Sequence, residues 1–356
     1  LQTKSVNPHP DEKDARTFGR QDIALLLVVF GVAVLLRFAA LGSEPPGLYY
    51  DEAFNGLDAL GVLEGNTPLY FAANNGREPL YIYLAALSVQ VFGPTAFALR
   101  LPAAMLGALT VPATYALGRA WFNRRVGLMA AAVLAVTLWH VHLSRVAFRV
   151  VALPLLLALA LAAGAHGLKT SRRWTWIAAG AAYGLSFYTY LPARFTPLAL
   201  LPVGAAALAW HREALLAHWR ALALMALAAV IVAAPLGVLA LQDPGLVFGR
   251  SDQVAVWNPA IHGGDFPGTL VKHVLGALGM FAFRGDTITR HNPPGRPVFD
   301  PLLALAWAVG VVWLARRGPR RNLVAAAVVL WIAVLLLPTA LAEDSPHFLR
   351  AAGVLP

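Results

Sequence analysis

The chain has 356 residues, 58% of them hydrophobic and only 13% charged, where a soluble domain carries about a quarter charged residues; an ordinary soluble fold is excluded. There is no cysteine, which removes disulfides, thiolate metal sites and cysteine nucleophiles. The net charge of +10 resides in short basic clusters between apolar runs, a membrane-topology pattern and not a nucleic-acid surface.

Residues 1–22 are polar and read as a cytoplasmic tail. The first apolar run, 23–41, exceeds the ~7–15 residues of a signal-peptide core and reads as a retained span. Further spans are expected at 101–118, 126–143, 151–168, 175–191, 195–210, 221–241, 300–315 and 322–342, since about 20 apolar residues cross a bilayer as a helix. Residues 79–92 and 268–283 are apolar but fall below the ~17-residue lower limit. If neither crosses, every short basic loop falls on the cytoplasmic side: Arg119, Arg124 and Arg125; Lys169, Arg172 and Arg173; Arg212 and Arg220; Arg316, Arg317, Arg320 and Arg321. Either one crossing alone would invert the later loops and break the positive-inside bias. Both are therefore expected as interfacial or re-entrant helices in outer loops spanning 42–100 and 243–300. The domain reads as 23–350, with 351–356 starting a truncated further span. The fold class is an all-α polytopic bundle with juxtamembrane helices on its outer face.

Under this topology the acids gather outside. PPGLYYDEAFNGLDALGVLEGNTP follows the first span and carries Asp51 and Glu52. NNGREPLYIY carries Arg77 and Glu78, HVHLSRVAFRVVALP carries Arg145 and Arg149, and YTYLPARF carries Arg194. GDTITRHNPPGRP and EDSPHFLR add polar residues in the later loops. A carboxylate near the membrane surface can take a proton from an acceptor hydroxyl. Arginines on the same face can hold a lipid-linked phosphate through forked, charge-assisted hydrogen bonds. Each element also has a plainer reading. Asp51-Glu52 suits an acidic first helical turn, the arginines suit snorkelling helix ends, and the tyrosines suit an interfacial belt. His262, His273, His291 and His347 show no i, i+4 ligand spacing, so no metal ligand is assigned and a divalent ion stays open.

The order of one span, an outer Asp-Glu loop, an Xaa-Pro-Leu-Tyr stretch, FGPTAFALRLPAAMLGALTVPATYALGRAWFNRR and a further series of spans resembles the polyprenyl-phosphate-dependent glycosyltransferases of the GT-C fold. It is similar in particular to glycosyltransferase family 39 in its bacterial form, related to protein O-mannosyltransferases and to the aminoarabinose transferase of lipid A. The resemblance covers roughly residues 20–350. It implies that Asp51, with Glu52 beside it, is the catalytic base. It implies donor-phosphate roles for Arg77, Arg145, Arg149 and Arg194, with Glu78 orienting them. Where the aminoarabinose transferase has Glu-Lys-Pro, this chain has Arg77-Glu78-Pro79, and the turn SRVAFRVVALP lacks the second acid of many relatives. The implied activity is inverting transfer from a polyprenyl-phosphate sugar to a lipid, glycan or protein acceptor at the outer face of the cell membrane. No nucleic acid is involved. The rival readings are a transporter or lipid flippase and an inactive assembly subunit. A transporter is expected to carry midplane charges on interrupted, repeated helices, and no midplane acid is found.

Overall fold

The computed structural model describes residues 20–355; the predicted tail at 1–22 lies almost wholly outside them. Among the described residues the regular structure is helical, with two isolated bridges, Phe71 to Arg77 and Ala255 to Ala342. Among the described residues seven helices are long and apolar enough to cross a membrane: Gln21–Phe38, Ala96–Trp121, Arg149–Thr170, Leu191–Trp210, Trp219–Gln242, Pro301–Gly318 and Leu323–Ala340. This is a multi-pass membrane protein.

In chain order, α1 (Arg20–Phe38) leads into the first loop, which holds α2 (Tyr50–Leu63) and α3 (Leu80–Phe92). With 13 residues, α3 is about 20 Å long at 1.5 Å per residue, too short for a ~30 Å core. It is followed by α4 (Ala96–Trp121), opened by Thr95, whose Oγ1 accepts from the Ala98 N–H at 3.1 Å. Asn123 then caps α5 (Arg124–Val136), its Oδ1 accepting from the Val126 N–H at 3.0 Å. That cap, after a two-residue connection, folds α5 back along α4.

The run 126–143 is not one helix. Thr137 is extended (φ −61°, ψ 114°) and separates α5 from α6 (Leu138–Leu143). Such a break strands backbone carbonyls, which must find donors inside a membrane protein. Arg37, fully buried at the end of α1, donates to Ala135 O at 3.0 Å, Leu134 O at 3.3 Å and Ala33 O at 3.1 Å. Its Nη2 also meets His140 Nδ1 at 2.8 Å. The charge in the first apolar run thus satisfies the interruption in its neighbour.

A 3₁₀ turn (Arg149–Val151) opens α7 (Ala152–Thr170), which packs on α4. The run 175–191 is also shorter than expected: α8 (Arg173–Ser186) stops after 14 residues, and a turn carries Tyr188 and Tyr190 to a second 3₁₀ turn (Leu191–Phe195). Next come α9 (Thr196–Trp210), α10 (Arg212–Ala217) and α11 (Trp219–Gln242). Packing between α8 and α11 is close because Gly180 has no side chain; a Cβ there would lie 2.1 Å from Met225 O. Small residues permit such backbone approach where no hydrophobic force drives helices together.

The second loop holds α12 (Pro244–Val254), α13 (Pro259–His262) and α14 (Phe266–Gly279). The 14 residues of α14 again fall short of a span. After α15 (Pro301–Arg321) and α16 (Leu323–Leu335), two short helices, α17 (Leu337–Ala340) and α18 (Phe348–Ala351), return the chain to the bundle. Residues 348–354, where the sequence suggests the start of another span at 351, form short turns packed on Trp139, Val150 and Met280. Trp331 Nε1 donates to Gly353 O at 3.0 Å.

The two ends of the bundle differ. At one end Arg124 pairs with Asp22 at 3.0 Å and Lys169 donates to Ala120 O at 2.8 Å, bringing basic loops together. At the other, Arg145 donates to Leu36 O at 2.9 Å and Glu44 O at 3.0 Å. The helix breaks, α2, α3 and the acids of the first loop lie at this second end.

Candidate active site

Asp51 and Glu52 begin α2, yet they face different surroundings. Glu52 is 1% exposed and fully engaged. Its Oε1 accepts from Arg100 Nε at 2.8 Å and from the Ala147 N–H at 2.9 Å; its Oε2 accepts from the Tyr49 N–H at 2.9 Å and from Arg100 Nη2 at 3.1 Å. Arg100, also 1% exposed, further donates to Pro45 O and Gly47 O. A buried pair with every valence used is a clamp. The expected second acid at this position therefore fastens the first loop to α4 and to the 144–148 turn, and no oxygen of Glu52 is left to take a proton.

Asp51 opens onto a cavity of about 190 Å³. Its Oδ1 accepts from Asn74 Nδ2 at 2.8 Å, and its Oδ2 lies 3.6 Å from Arg290 Nε without a hydrogen bond. The same cavity is lined by Glu78, 3% exposed, whose Oε1 accepts from Arg194 Nη2 at 3.0 Å. Arg149 Nε is 3.3 Å from Glu78 Oε2, an ion pair outside hydrogen-bonding geometry, so this buried N–H has no partner among the described residues. Arg149 also lies 5.5 Å over the ring of Tyr190, and Arg194 5.2 Å over Phe248. Arg194 Nη1 donates to Val247 O at 2.8 Å, joining the two outer loops.

Arg77 and Arg145 are placed elsewhere. Arg77 is 1% exposed and does not line the cavity; it donates to Asn55 Oδ1 at 2.9 Å and Ala73 O at 3.1 Å, and pairs with Asp58. Burial pulls its pKa down despite the Asp58 charge, and the same desolvation raises the Asp58 carboxyl. Arg77 supports the wall from behind. The Phe71–Arg77 bridge and Gly76, at φ +81° with a Cβ position 2.9 Å from the Tyr70 ring, hold the turn that presents Asn74. Arg145 braces the ends of α1 and the first loop through backbone carbonyls and is likewise absent from the lining.

Residues from later loops complete the walls. Arg290, His347 and Arg350 line the cavity, and Arg350 donates to Glu343 O at 2.6 Å. Sequence reading marked both segments as polar but assigned no role, since separations such as 241 residues between Tyr49 and Arg290 leave no periodic signal. One group of residues could be considered for a metal: Asp286, His291 and His347 are buried with ligand atoms within 4.8 Å of one another. Several of their lone pairs are engaged in hydrogen bonds. Asp286 Oδ2 accepts from His291 Nδ1 at 2.7 Å and from the Phe348 N–H at 2.8 Å. His291 Nε2 accepts from Arg290 Nε at 2.8 Å, and His347 Nδ1 faces the Arg350 N–H at 3.4 Å. As it stands the group forms a hydrogen-bonded brace behind Arg290.

A family model described as dolichyl-phosphate-mannose-protein mannosyltransferase matches residues 76–238. The structure is similar to ArnT from Cupriavidus metallidurans bound to undecaprenyl phosphate (TM-score 0.61, 17% identity, covering 94% of this chain and 57% of that one). It is also similar to the archaeal oligosaccharyltransferase AglB from Archaeoglobus fulgidus in complex with an inhibitory peptide and a dolichol-phosphate (TM-score 0.56, 16% identity, 94% and 49%). The chain has the GT-C fold. It spans a little over half the length of ArnT and about half that of AglB. No curated protein matches it by sequence. The matched GT-C segment begins at Gly76 and contains Glu78, Arg149 and Arg194; Asp51 and Arg290 lie on either side of it.

Proposed function

We propose that this chain is a membrane glycosyltransferase that moves a sugar from a polyprenyl-phosphate donor to an acceptor hydroxyl or amine, with inversion at the anomeric carbon. One observation carries the reading: a single cavity is lined by the Asp51 carboxylate and by Arg149 and Arg194, the two arginines held beside Glu78. The match to a mannosyltransferase family model and the shared fold with ArnT and AglB support it.

In this mechanism Asp51 takes the acceptor proton as the nucleophile attacks the anomeric carbon. The anomeric C–O bond to the phosphate breaks, and its electron pair leaves on the lipid phosphate, where Arg149 and Arg194 meet the growing charge. Glu78 fixes the two guanidinium groups in register before substrate arrives, which provides the orientation term. Carboxylate character near C1 also favours an oxocarbenium-like state. The basic loops at the opposite end support a cytoplasmic N-terminus and a site on the outer face of the cell membrane. Ionisable residues of the cavity come from loops at one end, not from a midplane path, which disfavours a transporter.

The test is transfer from a radiolabelled polyprenyl-phosphate sugar by the purified protein. Asp51→Asn is expected to lower turnover about 10²–10⁴-fold with donor binding kept. Arg149→Ala is expected to weaken donor binding more than Arg149→Lys, because lysine keeps the charge and loses the fork. Full turnover by Asp51→Asn would overturn the assignment.

A further inference from the structure

Arg290 lies in the second outer loop, beyond the matched segment, and its side chain is fixed from several directions. Its Nε donates to His291 Nε2 at 2.8 Å and its Nη1 to the Tyr49 hydroxyl at 2.7 Å, while the guanidinium lies 4.9 Å over the Tyr49 ring. Behind His291, Asp286 is fully buried and accepts from His291 Nδ1 at 2.7 Å, from the Ile288 N–H at 2.7 Å and from the Phe348 N–H at 2.8 Å. An ionised carboxylate only accepts and the Arg290 Nε–H only donates, so His291 carries its proton on Nδ1 and offers Nε2 to Arg290. Burying a carboxylate and an imidazole to aim one guanidinium is costly unless the aim matters.

The guanidinium so fixed lies beside Asp51. At 3.6 Å, Arg290 Nε is close enough to pair electrostatically with Asp51 Oδ2 yet forms no hydrogen bond with it, while Asn74 anchors Oδ1 at 2.8 Å. Oδ1 is therefore anchored while Oδ2 sits beside a positive charge and keeps accepting capacity for a substrate proton.

We propose that Arg290 is a positioning residue for Asp51, held by an Asp286–His291 brace, and that it fixes the carboxylate orientation in which Oδ2 meets the acceptor. The proposal rests on the reading of Asp51 as the base. Arg290 takes no proton; it acts through the carboxylate it faces. The groups facing Asp51 are Asn74 and Arg290 at contact, with Arg77, Tyr190 and His291 within electrostatic range. Among the arginines whose side chains are described, only Arg290 combines an ion pair with Asp51 and a buried support of its own.

The experiment compares Arg290→Ala, Arg290→Lys, Asp286→Asn, Asp51→Asn and Arg149→Ala in the full-length protein, measuring kcat against pH and donor affinity with the unglycosylated polyprenyl phosphate as probe. Arg290→Ala should lower kcat, within the roughly 10²–10⁴-fold ceiling set by Asp51→Asn, and leave donor affinity unchanged. The acidic limb of kcat should move to higher pH, because a carboxylate that loses a neighbouring cation protonates more easily. Arg290→Lys should keep that limb and recover part of kcat; Asp286→Asn should reproduce a weaker form of the alanine change. Adding Arg290→Ala to Asp51→Asn should cost nothing further. Wild-type kcat and pH profile in both Arg290 variants, or a loss appearing in donor affinity as for Arg149→Ala, would sink the proposal alone. Full transfer by Asp51→Asn would instead remove the base assignment and this proposal with it. Should Arg290→Ala fail to fold, Arg290→Lys and Asp286→Asn read the same two quantities.

Discussion

Asp51 and Glu52 are adjacent, and one step along a helix turns a side chain by about 100°. That rotation sends Asp51 to the cavity and Glu52 into the protein. Their substitutions should therefore differ in kind. Glu52→Ala leaves Arg100 charged and unpaired in a buried place, which should cost about 3–5 kcal/mol. Thermal unfolding in detergent should show a large loss of stability, with activity failing because the fold fails. Asp51→Asn removes no buried partner and should keep its melting temperature near wild type while turnover drops. Equal destabilisation by the two would contradict the division drawn from their contacts. The same contrast separates Arg149, which lines the cavity, from Arg77 and Arg145, which do not and whose donors are spent on Asn55, Asp58 and backbone carbonyls.

Among the elements, the interrupted helices matter most. The breaks at Thr137 and after Ser186, and the 3₁₀ turns at Arg149–Val151 and Leu191–Phe195, all occur at the site end. Non-helical backbone at membrane depth survives only where protein or a wet cavity satisfies it, and here it supplies the positions of Arg149, Tyr190 and Arg194. Rigid packing on the far side must hold these turns still. Gly180→Leu should force α8 from α11 and cost about 1–3 kcal/mol by overpacking, seen as a lower melting temperature; an unchanged value would mean the helix pair is not close-packed. Topology is open to a direct check. Asn66, in the first loop, and Asn123, in the basic α4–α5 turn, are both exposed. Cysteines placed there should label from opposite sides with an impermeant thiol reagent, and labelling of both from one side would remove the assigned orientation.

For the whole molecule, the helical class and most spans were legible because membrane insertion imposes long apolar runs, a signal written locally in the chain. Asp51, Glu78, Arg149 and Arg194 were legible as charges clustered beside those runs. The division of labour was not. Nothing local to residue 52 announces that Arg100 and the Ala147 N–H will occupy it, and nothing near Arg290 announces Asp51. Interruptions inside apolar runs were missed because their carbonyls are satisfied by a residue as distant as Arg37. The molecule should also respond to acid. Burial lowers the pKa of His291 and of His347 below the ordinary 6.5, so the unfolded chain binds protons that the folded chain refuses. Their contribution to stability is complete above pH 6.5 and is lost as pH falls from there toward the folded-state values. Melting temperature should decline over that interval, and His291→Gln should flatten the decline; the same slope in the variant would assign it to other groups. Because Asp286 and His291 are hydrogen-bonded to each other, to Arg290 and to the Phe348 N–H, chelation should leave melting temperature unchanged, and a drop would reveal a bound ion. The Glu52 clamp has one more consequence, which concerns time. Its partners stand 48 and 95 residues further along the chain. At ~5–20 residues per second of synthesis, α2 waits on the order of 5–20 s after its own emergence before the Ala147 N–H exists to bind it. Arg100 emerges about half-way through that interval, but the clamp stays incomplete to its end, so whatever machinery inserts the chain must tolerate an open, acidic first loop until the third long helix begins to arrive.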